Sequence, residues 1–244
     1  MTSSRTAIIT GAARGIGAAI ADRLARDGFA VVINFAKDKA SADALTSRIT
    51  AAGGNAIAVQ GDVADSAAMT ALFDKAESSF GGIDVLVNNA GILQLAPIAD
   101  TTDAMFDRHI AVNLKGSFNG MREAAKRLRK GGRIINLSTS VVGTRLETYG
   151  AYTATKAAVE VMTFILAREM RGKDITVNAV APGPVATELF LNGKSPELID
   201  RLSKTNPMER LGQPNDIANV VSFLAGPDGG WVNGQTLRAN GGMV

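Results

Sequence analysis

Short, continuously apolar segments alternate with longer, alanine-rich segments from one end of the chain to the other. The apolar segments, rich in Ile, Val and Ala, cover residues 7–10, 30–34, 56–60, 85–88, 133–137, 176–180 and 236–239. Strands that are apolar at every position, rather than at every second one, are typical of a parallel sheet covered by helices on both faces. The alternation therefore predicts a doubly wound, seven-stranded parallel α/β sheet in a single domain of residues 1–244.

The alanine-rich segments predict helices over residues 15–27, 40–52, 66–80, 102–130, 151–171 and 214–224. Several are followed by glycine, which favours the left-handed conformation that ends helices. The basic residues near the end of 102–130 are interpreted as the solvated C-terminus of a helix, where cations suit the helix dipole. The irregular, proline-containing stretch 184–212 is interpreted as a substrate loop with short helices.

Composition excludes several classes of function. The net charge is only +3, and no dense basic run of the kind that binds nucleic acid is present. Without cysteine the chain has no disulfide, thiolate nucleophile or zinc–sulfur site, and the single His109 is interpreted as structural. No apolar run reaches the ~20 residues of a membrane helix, and the first five residues do not form a signal segment. These features predict a cytoplasmic enzyme with no metal, membrane or nucleic-acid partner.

A glycine turn connects the first predicted strand to the first helix, in the segment Thr10-Gly11-Ala12-Ala13-Arg14-Gly15-Ile16-Gly17. Such a turn lets the backbone approach a pyrophosphate, which the N–H groups and the helix dipole stabilise. Because strand, turn and helix follow in this order, the segment predicts a dinucleotide site of the Rossmann type. Its cofactor contacts are expected at Gly11, Arg14, Gly15, Ile16 and Gly17.

The end of the second strand predicts which dinucleotide binds. Folds that use NAD usually place Asp or Glu there, on the ribose hydroxyls of the adenosine. This chain has Phe35 at that point, and Arg14 and Lys37 can pair with a 2′-phosphate. NADP(H) is therefore favoured over NAD(H).

Tyr152 and Lys156 lie in the predicted helix 151–171 at a spacing that puts both on one face, roughly 6 Å apart along the axis. A phenol ordinarily has a pKa near 10 and exchanges protons poorly at neutral pH. A neighbouring ammonium group favours the phenolate and lowers that pKa. Downstream of a dinucleotide site, the pair predicts an acid/base tyrosine that a lysine activates.

Four motifs follow one another in a familiar order: Gly11-x-x-x-Gly15-x-Gly17, Asn88-Asn89-Ala90-Gly91, Tyr152-x-x-x-Lys156 and Pro182-Gly183. In these motifs the chain resembles the short-chain dehydrogenases/reductases over essentially its whole length, and most closely the 3-oxoacyl-carrier-protein reductase-like branch. The resemblance implies hydride transfer between NADP(H) and a carbonyl or secondary alcohol. It also implies a homotetramer, in which the long helices containing Asn113 and Tyr152 pair between subunits.

The same resemblance implies further cofactor contacts, from the adenine to the nicotinamide, at Asp62, Val63, Asn89, Ala90, Gly91, Pro182, Gly183, Val185 and Thr187. The first two would meet the adenine, the next three the adenosine ribose, and the last four the nicotinamide end. Tyr152 and Lys156 would complete the site, with Lys156 on the nicotinamide ribose. Asn113 would hold a water that links Lys156 to solvent as a proton relay.

A hydroxyl donor to the substrate oxygen is expected after strand 133–137, where Ser138, Thr139 and Ser140 are consecutive. Ser140 is predicted to be that donor, because the segment 140–143 reproduces the family's Ser-x-x-Gly. Ser138 and Thr139 stay as alternatives, since side chains alternate along a strand and the register decides which one faces the site. Asn240 stands where many relatives have Asp.

The motifs leave the substrate open, from 3-oxoacyl thioesters to quinones, sugars and xenobiotic ketones. An alternative on the same scaffold is a non-catalytic NADP(H)-binding regulatory protein, since a fold does not fix a function. The intact set of Ser140, Tyr152 and Lys156 favours the enzyme.

Overall fold

The computed structural model describes residues 5–244, so the first four residues, on which the expected cellular location partly rests, lie outside the described part. Its strands are β1 Thr6–Ile9, β2 Ala30–Phe35, β3 Ala56–Gln60, β4 Ile83–Asn88, β5 Leu128–Leu137, β6 Thr176–Pro182 and β7 Thr236–Ala239. They form one seven-stranded sheet in the order β3-β2-β1-β4-β5-β6-β7, and every neighbouring pair is parallel. The predicted doubly wound fold is confirmed.

The helices are α1 Gly15–Arg26, α2 Lys39–Ala51, α3 Ser66–Phe80, α4 Asp103–His109, α5 Gly116–Arg127, α6 Val141–Thr144, α7 Gly150–Glu169, α8 Glu188–Leu191, α9 Pro196–Ser203 and α10 Pro214–Ala225. The short helices α8 and α9 lie in the predicted substrate loop. In the part of the chain that is described, no helix is long and apolar enough to cross a membrane.

The helices cover both faces of the sheet, as the continuously apolar strands require. Every residue of β1, β2, β4 and β6 is buried. On one face, α1, α2 and α10 contribute Leu24, Leu45 and Val221 to the core. On the other face, α3 and α5 contribute Phe73 and Met121. Each face therefore has its own apolar core, and the sheet lies between them.

The predicted continuous helix 102–130 is wrong in two places. A π-helical segment, Ile110–Lys115, separates α4 from α5, and the helical conformation ends at Arg127. β5 already begins at Leu128, which pairs with Ile83. These non-local contacts with β4 draw the end of the predicted helix into the sheet.

Lys126 is exposed in the last turn of α5, as predicted for a solvated helix end, but two arginines of this region are ion-paired instead. Arg127 forms ion pairs with Asp74, Glu77 and Glu123, and these partners raise its pKa. Arg129 pairs with Asp84 of β4. The cluster therefore ties α5 and β5 to α3 and β4.

The carboxyl ends of β1, β4, β5 and β6 meet at one edge of the sheet. The strand order runs outward in opposite directions from β1 and β4, so a crevice opens between the loops that follow them. Ligands of doubly wound sheets bind in such crevices, and the candidate site lies there.

Candidate active site

The glycine turn after β1 packs directly against the loop after β4. Gly11 has a φ of +60°, a conformation that favours glycine, and a Cβ atom there would lie 2.8 Å from the Cα of Ala90. At Gly17 a Cβ atom would lie 2.5 Å from the Asn89 amide nitrogen. The glycines therefore permit the close contact between the two loops that shapes the crevice.

Polar side chains outside the glycine motif hold this contact in place. The Thr10 hydroxyl accepts hydrogen bonds from the backbone N–H groups of Asn89 at 3.0 Å and Ala90 at 3.1 Å. Asn34 Oδ1 accepts from the Gly11 N–H at 3.2 Å, and Asn34 Nδ2 donates to the Gly61 carbonyl at 3.0 Å. Asn34 is buried inside an otherwise apolar strand, and that interruption is the sequence signal that identifies it.

The N-terminus of α1 is left free for an anion. No side chain caps it, whereas Asp38, Asp65 and Thr102 cap α2, α3 and α4. The first N–H groups of α1 therefore lack side-chain acceptors within the described residues, and the helix dipole adds partial positive charge there. This end of the helix fits a pyrophosphate.

The crevice has a volume of about 680 Å³. All of the predicted cofactor contacts line it: Gly11, Arg14, Gly15, Ile16, Gly17, Lys37, Asp62, Val63, Asn89, Ala90, Gly91, Tyr152, Lys156, Pro182, Gly183, Val185 and Thr187. The structure thus brings together, along one continuous cleft, residues from six separate parts of the sequence.

At the predicted adenosine end, Phe35 turns its ring into the core and presents no carboxylate to the cleft. The Asp38 carboxylate instead accepts a hydrogen bond from the Ser41 N–H at 3.1 Å, and this bond lowers the pKa of Asp38. Lys37 is exposed beside it. Arg14 forms an exposed ion pair with Glu188 at 2.8 Å, which sequence patterns did not indicate.

Lys156 and Tyr152 lie on the first turns of α7, at the opposite end of the cleft. The Lys156 ammonium group is buried, donates a hydrogen bond to the Leu137 carbonyl at 2.7 Å, and lies 5.9 Å from the centre of the Tyr152 ring. Burial lowers the pKa of Lys156 to about 8. The helical spacing therefore brings the two groups together as predicted.

The expected lowering of the tyrosine pKa is wrong for this structure. Burial raises the pKa of Tyr152 to about 12, and a hydrogen bond from Thr139 opposes that rise only in part. Lys156 directs its ammonium group to the Leu137 carbonyl rather than to the phenol. Burial of Tyr152 therefore has a larger effect on its pKa than the lysine charge has. At neutral pH Tyr152 is consequently a protonated acid.

The three hydroxyl groups after β5 have different partners. Ser138 donates to Glu160 Oε1 of α7 at 2.5 Å. Ser140 donates to the Ala181 carbonyl at 3.2 Å and accepts from Asn240 Nδ2 at 2.9 Å. The Thr139 hydroxyl accepts from the Val141 N–H at 3.3 Å, and its interaction with Tyr152 lowers the pKa of that phenol. All three residues line the cleft, so Ser140 stays the predicted donor to the substrate oxygen, with Ser138 and Thr139 as the alternatives.

Asn113 lies in the π-helical segment and is fully buried rather than on the cleft wall. Its carboxamide forms two hydrogen bonds with the backbone of Ile92, at 2.8 Å and 3.0 Å, and a longer one with Thr155 of α7 at 3.4 Å. Asn113 thus joins the loop that follows Gly91 to the helix that carries Lys156. π-Helical turns are often found at functional sites, and here the turn brings this side chain inward.

His109 also belongs to the site. Its Nε2 accepts a hydrogen bond from the Gln94 N–H at 3.2 Å, so its Nδ1 carries the proton and donates to the Met105 carbonyl at 2.8 Å. Its ring is edge-on to Tyr152, with centroids 6.4 Å apart, and Tyr149 contacts Tyr152 at the same distance. Two aromatic rings therefore flank the acid.

The loop after β6 completes the predicted nicotinamide end of the cleft. Val185 pairs with Gly212, which closes the base of the substrate loop. The Thr187 hydroxyl accepts from the Phe190 N–H at 3.3 Å and thereby caps α8. A Cβ atom on Gly15 would lie 3.5 Å from the Thr187 side chain, so this loop borders the glycine turn.

Comparison with known proteins identifies the family of this chain. A family model described as enoyl-(acyl carrier protein) reductase matches residues 11–244. A "short-chain type dehydrogenase/reductase" of Picea abies is 48% identical, over 98% of this chain and 92% of the relative. The chain belongs to the short-chain dehydrogenase/reductase family. It is an oxidoreductase of that family.

Two further members of the short-chain dehydrogenase/reductase family are informative. An Arabidopsis thaliana protein named NADPH-dependent aldehyde reductase-like protein, chloroplastic, is 45% identical, over 99% of this chain and 95% of its own. The crystal structure of a short-chain dehydrogenase from Burkholderia cenocepacia in complex with NADP is 37% identical, with a TM-score of 0.93, and covers 99% of this chain and 98% of its own. Within the described residues, no group of three or more His, Asp or Glu side chains is arranged to hold a metal ion.

Proposed function

We propose that this short-chain dehydrogenase/reductase is a single-domain, NADP(H)-dependent carbonyl reductase in which Tyr152 protonates the oxygen of an aldehyde or ketone. The observation that carries the proposal is the placement of Tyr152 beside Lys156, in the cleft that begins at the glycine turn. Reduction consumes the acid form of the tyrosine, and a pKa of about 12 keeps it in that form at neutral pH. No observation favours the alternative of a non-catalytic regulatory protein.

The residues of the cleft fit the cofactor. The uncapped N-terminus of α1 suits the pyrophosphate, and Arg14 and Lys37 suit a 2′-phosphate at the end of β2, where Phe35 replaces a carboxylate. NADPH bound there would supply a hydride to the carbonyl carbon, so that NADPH, a proton and the carbonyl compound would give NADP⁺ and an alcohol.

The chain's own residues supply the proton and stabilise the charge. Tyr152 gives its hydroxyl proton to the substrate oxygen as negative charge develops there. The Ser140 hydroxyl, which lines the cleft, donates to the same oxygen. Lys156, which is charged below about pH 8, stabilises the phenolate left on Tyr152.

Asn113 acts in this proposal as a positioning residue. Its two hydrogen bonds to Ile92 fix the loop that contains Asn89, Ala90 and Gly91 against α7.

The water that would link Lys156 to solvent is part of the proposal, as are a cytoplasmic location and assembly as a homotetramer. Exposed apolar side chains on α5 and α7 support the assembly.

Replacing Tyr152 by Phe tests the proposal, because it removes the transferable proton and keeps the ring. We expect turnover of a broad panel of aldehydes and ketones to fall by at least about 10²-fold, with the Kd for NADPH unchanged within a few-fold. Steady-state assays of NADPH oxidation measure turnover, and fluorescence titration with NADPH measures its Kd. Retention of most of the turnover would show that the proton comes from another group.

A further inference from the structure

The cleft is divided into a charged part and an uncharged part. Among the described residues, the charged side chains that line it are Arg14, Lys37, Asp38, Asp62, Arg108, Lys156 and Glu188. Arg14 pairs with Glu188 at 2.8 Å, and Arg108 pairs with Asp62 at 3.5 Å. Asp38 caps α2. The charges thus concentrate on the predicted adenosine end, with Lys156 as the exception beside Tyr152.

The wall beyond Tyr152 is apolar. It is formed by the segment before α7 and by α8, together with the loop after β4, and its main contributors are Leu93, Val141, Leu146, Tyr149, Leu189 and Phe190. Leu146 and Leu189 are large apolar side chains that are nevertheless 41% and 52% exposed. An exposed apolar surface within a cleft is typical of a binding site for an apolar ligand.

Tyr149 gives this wall an aromatic face next to the proposed acid. Its ring is half-buried and edge-on to Tyr152, at an interplanar angle of 67°. Burial raises the pKa of Tyr149, so it also stays neutral. A flat substrate whose carbonyl oxygen reaches Tyr152 therefore has an aromatic side chain to pack against.

We infer that the substrate of the proposed reductase is an uncharged, largely apolar carbonyl compound, and that Tyr149 favours substrates with an aromatic ring. The inference rests on the proposed function. A carboxylate or phosphate near the reacting carbonyl would lose its water here without gaining a cationic partner, because Lys156 is buried and bonded to Leu137. Substrates that carry a charge close to the carbonyl are therefore excluded, including short 3-oxo acids.

The first test compares 4-methylbenzaldehyde with 4-carboxybenzaldehyde, which have similar shape and differ in charge. We expect kcat/KM to be at least about 100-fold higher for the uncharged aldehyde, with NADPH saturating. Equal values for the two aldehydes would overturn the inference and leave the proposed function intact. If no carbonyl compound is turned over at all, the proposed function itself fails.

A gain-of-function variant makes the test sharper. Leu146→Lys adds a cation to the apolar wall, so it should raise kcat/KM for 4-carboxybenzaldehyde at least about tenfold and lower it for 4-methylbenzaldehyde. Leu95→Lys is the matched control, because Leu95 has the same 41% exposure and does not line the cleft. The same gain in both variants would mean that the wall does not select by charge.

Two further measurements isolate Tyr149 and binding. Tyr149→Leu should reduce kcat/KM for 4-methylbenzaldehyde about tenfold more than for hexanal, since only the aromatic substrate loses ring contacts.

In the presence of NADP⁺, the unreactive benzamide should raise the unfolding temperature of the wild-type enzyme, and benzoate should not. This binding test does not depend on turnover, and stabilisation by benzoate alone would contradict the inference even if catalysis were absent.

Discussion

Lys156 is a buried amine that weakens the fold at neutral pH. Its folded-state pKa is lowered to about 8 from 10.5, so the folded protein favours the neutral amine. Stability is therefore highest above the unfolded pKa of 10.5 and is lost as the pH falls through about 8. A lysine at a buried position where its charge lowers stability is consistent with a role in chemistry rather than in folding.

Replacing Lys156 by Met should stabilise the protein while it impairs the proposed reaction. At pH 7 we expect the free energy of unfolding to rise by up to about 3 kcal/mol, reduced by loss of the bond to Leu137, and the gain should shrink toward pH 10.5. Urea unfolding at pH 7 and pH 10 gives both values. Lys173→Met is the control for an exposed lysine. A gain that is independent of pH would show that the buried charge is not its cause.

Thr139 and Ser140 can be separated by mutation. Ser140→Ala removes the predicted donor to the substrate oxygen, so kcat should fall by about 10²-fold or more. Thr139→Val keeps the shape of the side chain and should cause a much smaller loss in kcat. Steady-state kinetics and thermal unfolding of both variants check this, because Ser140→Ala also removes bonds to Ala181 and Asn240. A larger kcat loss in Thr139→Val would overturn the assignment of Ser140.

These residues also show what the sequence could predict at the site. The proximity of Tyr152 and Lys156 follows from helical geometry alone, so their spacing of four residues is sufficient to predict it. The choice among Ser138, Thr139 and Ser140 depends on the turn after β5 and on contacts from β6 and Asn240. Such contacts are distant in sequence, and no local motif contains them.

The same distinction holds for the secondary-structure elements. Most strands were predicted within two residues of their ends, because buried parallel strands are apolar at every position. The sequence pattern does not predict the π-helical segment Ile110–Lys115 between α4 and α5, since a π-helical turn inserts one residue without ending the apolar pattern. The conversion of residues 128–130 to strand was missed because pairing with Ile83 and Asp84 decides it.

The end of β2 should determine the choice of cofactor. With Arg14 and Lys37 nearby and the buried, uncharged Phe35 at the end of the strand, we expect NADPH to bind at least about tenfold more tightly than NADH. Phe35 is buried, so the exposed Ala36 is the better position for a test. Ala36→Asp should weaken NADPH binding at least about tenfold and change NADH binding little, by repulsion of the 2′-phosphate.

Fluorescence titration with each nucleotide measures these affinities. Ala67→Asp provides the control, because Ala67 is exposed on α3 and does not line the cleft. Equal affinities of the wild-type protein for NADPH and NADH would contradict the proposed preference. An unchanged ratio in Ala36→Asp would show that β2 does not face the 2′ position.

At the scale of the whole molecule, apolar side chains remain exposed on the outer faces of α5 and α7. Phe118, Val161, Phe164 and Ile165 are 45%, 60%, 47% and 49% exposed. Arg122 and Arg168 lie over the rings of Phe118 and Phe164. Neighbouring helices that share such an apolar surface are typical of a subunit interface. The surface therefore suits the pairing of α5 and α7 between subunits that the resemblance implies.

A closed tetramer with dihedral symmetry needs two different two-fold interfaces, and α5 and α7 would provide only one of them. Phe164→Glu together with Ile165→Lys places charges in that interface and leaves the cleft untouched, since neither residue lines it. We therefore expect light scattering to give a tetramer for the wild type and a dimer, not a monomer, for the double variant. Met208→Lys, which alters an exposed apolar residue on neither helix, should stay tetrameric. A monodisperse wild-type monomer would refute the assembly, and a double variant that stays tetrameric would place the interfaces on other surfaces of the fold.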